Sequence, residues 1–530
     1  MLFSIQVIRD VMAQNKGHIL WVDDEIEHLA SHILFLEQKG YAVTPVTNAE
    51  DALDRIRKTR FDLMLLDEMM PGMDGLVALS KIKEMAPALP VVMVTKSEEE
   101  NLMEEAIGGR IDDYLTKPVN PSQILSCCMR ILEKQRIKRD KLTRDYTAEF
   151  MEISSLIGGD MSAADWIDIH HRLSERDLDL DAHPDLGLRQ TLHDQRRECN
   201  QAFSRYVESQ YPAWLRRDDR PVLSPDLMKR HVLPLLREGR RVLFVVVDNL
   251  RLDQWLVLEP LLYDYFSIRR DYYFSILPTA TPYARNALFS GLFPNEIERL
   301  YPDCWVNAED DETSLNRHEH ALMDQLLARE GITLKPGSRY VKIMDTDEAR
   351  SVAGQADSYL GAPLSAMVFN FVDIMAHRRS DSRLLKEIVP DESAYRSLTR
   401  TWFEHAALFH ILKTAARTDV TVVLSSDHGS VRAMRGVTVY ADRETSTNVR
   451  YKYGRSIRTD SKMAIEIKQP NGWGLPARGI NTNYLIARED YYFVYPTNYH
   501  KYLALYRDSF QHGGVSMEEM ILPVAILEGR

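Results

Sequence analysis

The stretch VVLSSDHGS at residues 422–430 decides the fold of the larger part of this chain. It begins as a run of β-formers and then places a carboxylate and an imidazole, Asp427 and His428, directly after that run. Two further apolar runs end in the same way, because RVLFVVVD ends on Asp248 and SAMVFNFVD ends on Asp373. Continuous apolar runs are typical of parallel strands that are covered on both faces. The runs therefore predict a parallel α/β sheet whose carboxylates converge at one edge, where such sheets bind ligands.

Three histidines accompany these carboxylates. His377 follows Asp373 by four residues, a spacing that brings both side chains to one face of a helical turn. His428 is adjacent to Asp427, and His512 opens HGGVSMEEMILP, a glycine-rich turn that leads to a final apolar strand. A mixed set of imidazole nitrogens and carboxylate oxygens suits Zn²⁺ best and Mn²⁺ next. The pattern predicts a metal centre at this edge of the sheet.

A candidate nucleophile lies in LPTATPYARNALFSG, residues 277–291. Pro282 is predicted to be the first residue of a helix, which makes Thr281 the N-cap. In one interpretation Thr281 only caps the helix. In the other, its hydroxyl lies at the positive end of the helix dipole, binds a zinc ion, loses its proton and attacks phosphorus. Thr279 is the alternative nucleophile.

The N-terminal part of the chain alternates short apolar runs with helix-like stretches, a pattern typical of a parallel sheet wrapped by helices. Polar residues stand where its strands end: Asp23 and Asp24 follow ILWV, Asp67 follows LMLL, Thr95 follows VVMV, and Lys117 follows DYLT. Three clustered carboxylates repel one another and so favour an oxygen-binding ion such as Mg²⁺. That ion could position a phosphoryl group, with Lys117 neutralising its charge and Thr95 bonding its oxygen.

This pattern, together with DEMMPGMDG and the KP pair at residues 117–118, resembles the receiver domains of bacterial response regulators. The resemblance implies a flavodoxin-like fold over residues 16–136, in which Asp67 accepts phosphate from a sensor histidine kinase. Tyr114 lies at the position of the family's aromatic switch residue, although it also fits a half-buried strand tyrosine. The residues implied are Asp23, Asp24 and Asp67 for Mg²⁺ and Thr95, Tyr114 and Lys117 for the switch.

Residues 137–236 lack strand alternation and are predicted to form a helical-bundle linker. Apolar residues recur at spacings of three and four, while Lys, Arg and Glu are dense at the other positions. A spacer role and a dimerising role are both open. The segment also contains histidines that are expected to be solvated rather than bound to a metal, because they lack convergent spacing: His170, His171, His183 and His193.

The strand-end motifs of the C-terminal part, with a Pro-Thr-x-Thr turn, Asp427-His428-Gly429 and a late HGG, resemble the alkaline phosphatase superfamily. The surrounding segments VDNLRLDQW, NVRYKYGR and HGGVSMEEMILP resemble its PglZ branch. The resemblance implies an alkaline-phosphatase-like α/β domain over residues 237–530. It also implies hydrolysis of a phosphomonoester or diester, in which the catalytic Thr281 forms a phospho-threonine intermediate. Two zinc ions are implied, one held by Asp373, His377 and His512 and the other by Asp248, Thr281, Asp427 and His428.

The insertion at residues 434–499 is the candidate substrate-binding region. Its mixture of basic and aromatic residues could hold a nucleotide by charge and stacking, whereas the alternative is a solvated β-rich lid. Arg450, Lys452 and Tyr453 are the predicted substrate contacts. The whole set comprises Arg435, Arg443, Arg450, Lys452, Arg455, Arg458 and Lys462 with Tyr440, Tyr451, Tyr453 and Trp473.

Composition narrows the class of protein further. The net charge of −12 over 530 residues provides no bulk positive field for a nucleic-acid backbone. Four cysteines without metal-type spacing fit a reducing compartment. Neither a signal peptide nor a membrane span is expected, so the predicted location is the cytoplasm. Because Met12 opens a second plausible start, the first eleven residues are expected to be a dispensable extension.

The order of receiver, helical linker and PglZ domain resembles the PorX-like family of response regulators, which are tied to type IX secretion. That resemblance implies a sensor histidine kinase as partner, homodimers on phosphorylation, contact with sigma-factor or secretion components, and phosphodiesterase action on nucleotides or oligonucleotides. The alternative is a non-catalytic regulator that acts by protein binding and uses its zinc ions only for structure. No helix-turn-helix segment with a basic recognition face stands out, which weakens direct DNA binding.

Overall fold

A computed structural model describes residues 16–96, 111–305, 316–441, 448–477, 482–497 and 499–530. The predicted N-terminal extension and Arg443 lie outside these described residues. The chain divides into two compact units, Met1–Glu149 and Phe150–Arg530. The helix Pro121–Leu156 contains the boundary between them, and residues 150–236 of the predicted linker belong to the larger unit.

The first unit is built on a parallel five-stranded sheet in the order β2-β1-β3-β4-β5, which is the flavodoxin-like order. Alternate residues of each strand face opposite sides. Leu20 and Val22 therefore pack in one core, while Ile19 and Trp21 pack in the other. Its strands are β1 His18–Val22, β2 Ala42–Val46, β3 Leu63–Asp67, β4 Val91–Thr95 and β5 Asp113–Thr116. Its described helices are α1 Ala30–Gln38, α2 Ala49–Lys58, α3 Gly75–Met85 and α4 Pro121–Leu156.

Two long helices, α5 Ala163–Ala182 and α6 Arg189–Trp214, open the main part of the second unit. Helix α5 begins with a capping box between Ser162 and Asp165. The expectation of solvated histidines is wrong for His170, which is 1% exposed because it lies on the buried face of α5. No helix within the described ranges is long and apolar enough to cross a membrane.

The second unit contains a six-stranded sheet in the order β7-β18-β10-β6-β9-β8. Strands β10, β6, β9 and β8 run parallel, whereas β18 is antiparallel to β10 and to β7. These strands are β6 Val242–Val247, β7 Phe266–Phe274, β8 Arg339–Ile343, β9 Leu364–Phe369, β10 Thr421–Ser425 and β18 Ile521–Gly529. The smaller sheets use β11 Val431–Ala433, β12 Arg435–Thr438, β13 Tyr451–Gly454, β14 Ala464–Ile467, β15 Asn483–Ala487, β16 Tyr491–Val494 and β17 Ser509–Gln511.

Helices cover both faces of this sheet, as the continuous apolar runs predict. Leu243, Val245 and Val247 of β6 pack in one core, and Val242, Phe244 and Val246 pack in the other. The helices are α7 Leu227–His231, α8 Leu233–Arg237, α9 Leu252–Leu258, α10 Thr281–Ser290, α11 Pro294–Leu300, α12 Glu319–Arg329, α13 Thr346–Gly354, α14 Ala356–Leu360, α15 Phe371–Asp381, α16 Arg383–Ile388, α17 Glu392–His405, α18 Ala407–Ala415, α19 Tyr499–Tyr506 and α20 Met517–Met520.

The prediction that Asp373 lies at the end of a strand is wrong. Strand β9 ends at Phe369, and Asp373 lies in the first turn of helix α15 rather than at the end of the strand. The apolar residues after Phe369 belong to the helix, whose Val372 is 1% exposed and packs in the core. Asp373 and His377 are consequently one helical turn apart, as their spacing predicts.

Candidate active site

Asp373, His377 and His512 form the first cluster of possible metal ligands, and their ligand atoms all lie within 4.8 Å of one another. Helix α15 presents Asp373 and His377, while His512 follows the short strand β17. Nε2 of His377 lies 3.1 Å from Nε2 of His512, and Oδ1 of Asp373 lies 3.4 Å and 3.6 Å from these two atoms. Two imidazole nitrogens and a carboxylate that face a common point fit a divalent cation.

Asp248, Asp427 and His428 form the second cluster, which is fully buried. Asp248 follows β6, and Asp427 and His428 follow the neighbouring strand β10. Oδ1 of Asp248 and Oδ2 of Asp427 have no hydrogen-bond partner within the part of the chain that the structure describes. Because buried carboxylate oxygens without partners are costly, this second cluster also fits a bound cation.

Thr281 lies beside the second cluster. It is the first residue of helix α10, with Ala280 as the N-cap, so the predicted capping role is wrong by one position. Its hydroxyl is 2.9 Å from Nε2 of His428. Nδ1 of His428 lies 3.1 Å from the carbonyl of Gly429, which can only accept. Nδ1 therefore carries the proton, and Nε2 is the acceptor for the Thr281 hydroxyl.

Thr279 has a different environment from Thr281. Its buried hydroxyl donates to the carbonyl of Gly514 at 2.8 Å and accepts from the backbone N–H of Gly513 at 3.1 Å. These bonds hold the glycine-rich turn that follows His512. The geometry therefore favours Thr281 as the candidate nucleophile and gives Thr279 a role in the turn.

Two further residues belong to the site, and the sequence analysis did not identify them. Asn249 has a positive φ of 64°, and its side chain donates to Asp373 at 3.1 Å. Arg285, one turn after Thr281 on α10, donates to Oδ2 of Asp248 at 2.7 Å and to Glu319 at 2.6 Å. The sequence contained only weak signals for these two residues. Asn follows the first metal-type carboxylate directly and tolerates the left-handed region, and Arg285 has i, i+4 spacing from Thr281.

The two clusters differ in their electrostatics. Burial, together with the charge of Asp427, raises the pKa of Asp248 to about 8. Burial also raises the pKa of Asp427. Burial acts on Asp373 in the same direction, but hydrogen bonding and charge from His377 hold its pKa below the usual range. The two buried carboxylates of the second cluster have Arg285 as a positive partner, and a bound divalent cation would further stabilise their ionised forms.

The predicted receiver residues also come together. Oxygens of Asp23, Asp24 and Asp67 lie within 4.8 Å of one another. Nζ of Lys117 is 2.9 Å from Asp23 and 3.0 Å from Asp67. Burial raises the pKa of Asp67, although Lys117 opposes that shift. The hydroxyl of Thr95 contacts the carboxylate of Glu68, and Tyr114 on β5 is 41% exposed.

The predicted substrate contacts face the interior of the fold. Arg450 is fully buried and donates through Nη2 to Glu519 at 2.5 Å. Lys452 is 1% exposed, lies 4.7 Å from the centre of the Tyr495 ring, and has its pKa lowered to about 7 by burial. Tyr453 is partly buried and packs on Tyr484. The sequence could not reveal these inward orientations, because they depend on partners that are distant along the chain.

Comparison with protein families identifies the domains. Residues 227–527, more than half of the chain, match the model described as the BREX system PglZ alkaline phosphatase-like domain. The chain belongs to the PglZ family. The match includes both predicted ligand sets and Thr281. Residues 19–128 match the response regulator receiver domain, and residues 136–215 match the PorX response regulator linker domain. The PglZ domain is thus part of a PorX-like architecture.

Relatives of the PglZ chain in the curated set match its receiver part. The transcriptional regulatory protein ResD of Bacillus subtilis is 34% identical over 111 residues, which are 21% of this chain and 46% of that protein. The transcriptional regulatory protein ZraR of Klebsiella oxytoca is 32% identical over 139 residues, which are 26% of this chain and 31% of that protein. The chain therefore spans less than half the length of these relatives.

Solved receiver structures are similar to the same part of the chain. A CheY-like receiver domain protein from Methanospirillum hungatei is 31% identical and covers 23% of this chain and 97% of its own, with a TM-score of 0.22. The beryllofluoride-activated DrrB receiver domain is 31% identical and covers 22% of this chain and 97% of its own, with a TM-score of 0.21. Receiver and alkaline-phosphatase-like domains generally use divalent metal ions, which agrees with the ligand clusters of both units.

Proposed function

We propose that this protein is a two-component response regulator whose phosphorylation at Asp67 controls zinc-dependent hydrolysis of phosphoric esters by its PglZ domain. The observation that carries the proposal is the position of Thr281. Its hydroxyl lies 2.9 Å from one buried ligand atom, Nε2 of His428. The His428 ring in turn stacks on that of His512 from the other cluster, with ring centres 4.2 Å apart. A nucleophile beside two adjacent cation sites is an arrangement that supports phosphoryl transfer.

The proposed reaction uses residues of both clusters. Asp373, His377 and His512 would hold one zinc ion, and Asp248, Thr281, Asp427 and His428 would hold the other. When bound, the two ions neutralise the phosphoryl oxygens and make the Thr281 hydroxyl easier to deprotonate. The Thr281 hydroxyl gives its proton to water as its Oγ1 forms a bond to phosphorus and the ester P–O bond breaks, and the departing oxygen takes up a proton from water. Water then cleaves the phospho-threonine and restores the hydroxyl.

Asp67 is the proposed phosphorylation site, and a sensor histidine kinase is the proposed phosphate donor. Among the three receiver carboxylates, Asp67 is at the end of strand β3 and within 3.0 Å of Lys117. Asp23 and Asp24 would complete the Mg²⁺ site, and Lys117 would neutralise the added charge. Thr95 and Tyr114 are the proposed switch residues, and homodimerisation is the proposed response.

The proposed substrates are nucleotides or oligonucleotides. Because Arg450 faces Glu519, the basic residues at the surface of the 434–499 insertion are better candidates for contact with substrate than Arg450 itself. The PorX-like architecture supports a link to type IX secretion, including contact with sigma-factor or secretion components. Absence of hydrolysis in a zinc-loaded protein would favour the alternative, a regulator that acts by protein binding.

The decisive experiment replaces the candidate nucleophile. We expect Thr281→Ala to keep its zinc and its fold but to lose about a thousandfold or more in hydrolysis of a chromogenic phosphodiester, because the covalent step is removed. Thr346→Ala is the matched control, since Thr346 is also the first residue of a helix and is exposed. Full activity of Thr281→Ala would refute the assignment of the nucleophile.

A further inference from the structure

The segment HGGVSMEEM, residues 512–520, lies between the metal clusters and the two long helices α5 and α6. Its first residue is His512, a member of the first cluster. From the side of the smaller sheets, Arg450 donates to Glu519 through Nε at 3.1 Å and through Nη2 at 2.5 Å. The backbone N–H of Gly514 donates to the same carboxylate at 2.8 Å. The ligand-bearing segment is thus fixed to the insertion that contains Arg450.

Helix α6 holds the same segment from the other side. Asn200 donates to Oε2 of Glu518 at 2.9 Å and accepts from the backbone N–H of Met517 at 2.8 Å. Arg196, one turn earlier, lies 3.3 Å from Oε1 of Glu518. Glu518 is 3% exposed, and Arg196 and Asn200 are buried with it. The side chain of Glu518 is therefore satisfied by helix α6.

The backbone of Glu518 also supports the second cluster. Gly429 follows His428 directly, and a Cβ atom at Gly429 would lie 2.0 Å from the Glu518 carbonyl oxygen. The backbone N–H of Gly429 donates to the carbonyl of Glu519 at 3.1 Å. A shift of residues 518–519 would therefore displace the backbone next to His428 as well as His512.

Buried ion pairs around this contact favour one arrangement of helices α5 and α6. Arg196 also pairs with Asp177 of α5, and Arg396 of α17 pairs with Asp181 of α5 at 2.8 Å. Buried ion pairs contribute little net stability when compared with apolar packing, and their best-attested use is to specify one arrangement. Here that arrangement sets helices α5 and α6 against the segments that carry metal ligands.

We propose that Glu518, Asn200 and Arg196 are positioning residues, through which helices α5 and α6 hold both ligand clusters in the geometry that binds zinc. The inference rests on the proposed function, since it concerns the same metal centre. Residues that orient metal ligands from outside typically change metal affinity by about 10- to 100-fold when replaced. A rearrangement of α5 and α6 would therefore change zinc retention, and zinc retention would in turn limit hydrolysis.

The test measures zinc release from the full-length protein to a chromogenic chelator. We expect Glu518→Gln and Asn200→Ala each to release zinc about tenfold faster than wild type. Asn200→Ala changes no charge, so agreement between the two variants separates geometry from electrostatics. Glu259→Gln is the matched control, because it weakens a largely buried ion pair elsewhere in the PglZ fold, with Arg270 on β7, and does not touch α6 or residues 512–520. Gln201→Leu, exposed on α6, is the second control.

The outcomes separate this inference from the proposed function. Equal release rates in wild type, Glu518→Gln and Asn200→Ala would overturn the inference, even if thermal unfolding shows that the variants are less stable. Faster release in Glu259→Gln as well would also overturn it, because the effect would then be general destabilisation. If Glu518→Gln does not fold, Asn200→Ala decides alone. Wild type that retains zinc but hydrolyses no ester would refute the proposed function and leave the release test valid.

Discussion

Single polar atoms determine what the candidate active site can do. The contact of His428 Nδ1 with the Gly429 carbonyl leaves Nε2 as the atom that faces Thr281 and the second cluster. His512 contributes Nε2 to the first cluster, and its side chain is buried. The ring of His512 also stacks on that of His428. Each imidazole thus serves one cluster while it packs against a residue of the other.

Replacement of His512 should empty one site. We expect His512→Ala to retain about one zinc ion per chain where wild type holds about two, because the first cluster would keep only Asp373 and the half-exposed His377 of the three ligands found among the described residues. Metal analysis of protein purified without chelator measures the difference. His193→Ala, on the exposed face of α6, is the control. If His512→Ala keeps both metal ions, His512 is only a turn residue.

His170 should make the fold sensitive to acid. Burial lowers its pKa from 6.5 to about 3, so the unfolded state binds more protons between these values. Above pH 6.5 His170 is neutral in both the folded and the unfolded state and hardly affects the free energy of unfolding. As the pH falls below 6.5, protonation of His170 in the unfolded state lowers the free energy of unfolding, by about 2 kcal/mol at pH 5. The thermal unfolding midpoint of His170→Gln should therefore fall less between pH 7 and pH 5 than that of wild type. An identical pH dependence in both proteins would contradict the assignment.

At the scale of elements, the ends of neighbouring parallel strands bring the second cluster together. Strands β6 and β10 pair in register, with Val246 opposite Ser425, so that Asp248 and Asp427 follow on the same edge. The loop after β10 then turns at Gly429, which packs directly on the carbonyl of Glu518. Close backbone approach at this glycine is what allows β10 and residues 512–520 to share one metal centre.

Gly429→Ala should therefore be costly. A Cβ atom 2.0 Å from a backbone oxygen forces one of the two segments to move, and overpacking of this kind typically costs about 1–3 kcal/mol or more. We expect a lower unfolding temperature and weaker zinc retention. Gly354→Ala, near the end of helix α13, is the control because no atom lies within 4 Å of its added Cβ. Equal stability of the two variants would show that the loop after β10 adjusts freely.

Asp248 and Asp427 were predictable because each follows a continuous apolar run, whereas the flavodoxin-like sheet order of the first unit was implied by the resemblance to receiver domains. Three features were not predictable. Asp373 belongs to a helix, because the apolar residues before it pack in the core as helical residues. His170 is buried by the sheet-bearing part of the unit, and Arg450 is turned inward by Glu519. Each feature depends on a contact that is distant in sequence, which local pattern does not encode.

At the scale of the whole molecule, one chain carries a receiver domain and a PglZ domain. The receiver residues lie in the first unit and the PglZ residues in the second, and helix α4 contains the boundary. Phosphorylation would add negative charge beside Asp23 and Asp24, which are not part of the PglZ site. We expect any effect on hydrolysis to be carried by the helical segment or by a contact between two copies of the chain. A change in oligomeric state is accordingly a more direct response than an on–off switch of the rate.

Asp67 is the residue at which that response should begin. We expect acetyl phosphate with Mg²⁺ to label wild type and to leave Asp67→Asn unlabelled, because Asp67 is the last residue of β3 and lies beside both Lys117 and the other two carboxylates. Beryllofluoride should raise the mass of wild type by light scattering to about that of a dimer, with a change in diester hydrolysis of no more than about tenfold. Asp54→Asn, on the exposed side of α2, should be labelled and dimerise like wild type. Equal labelling of Asp67→Asn would refute the phosphorylation site, whereas an unchanged mass of labelled wild type would refute dimerisation as the output of the receiver.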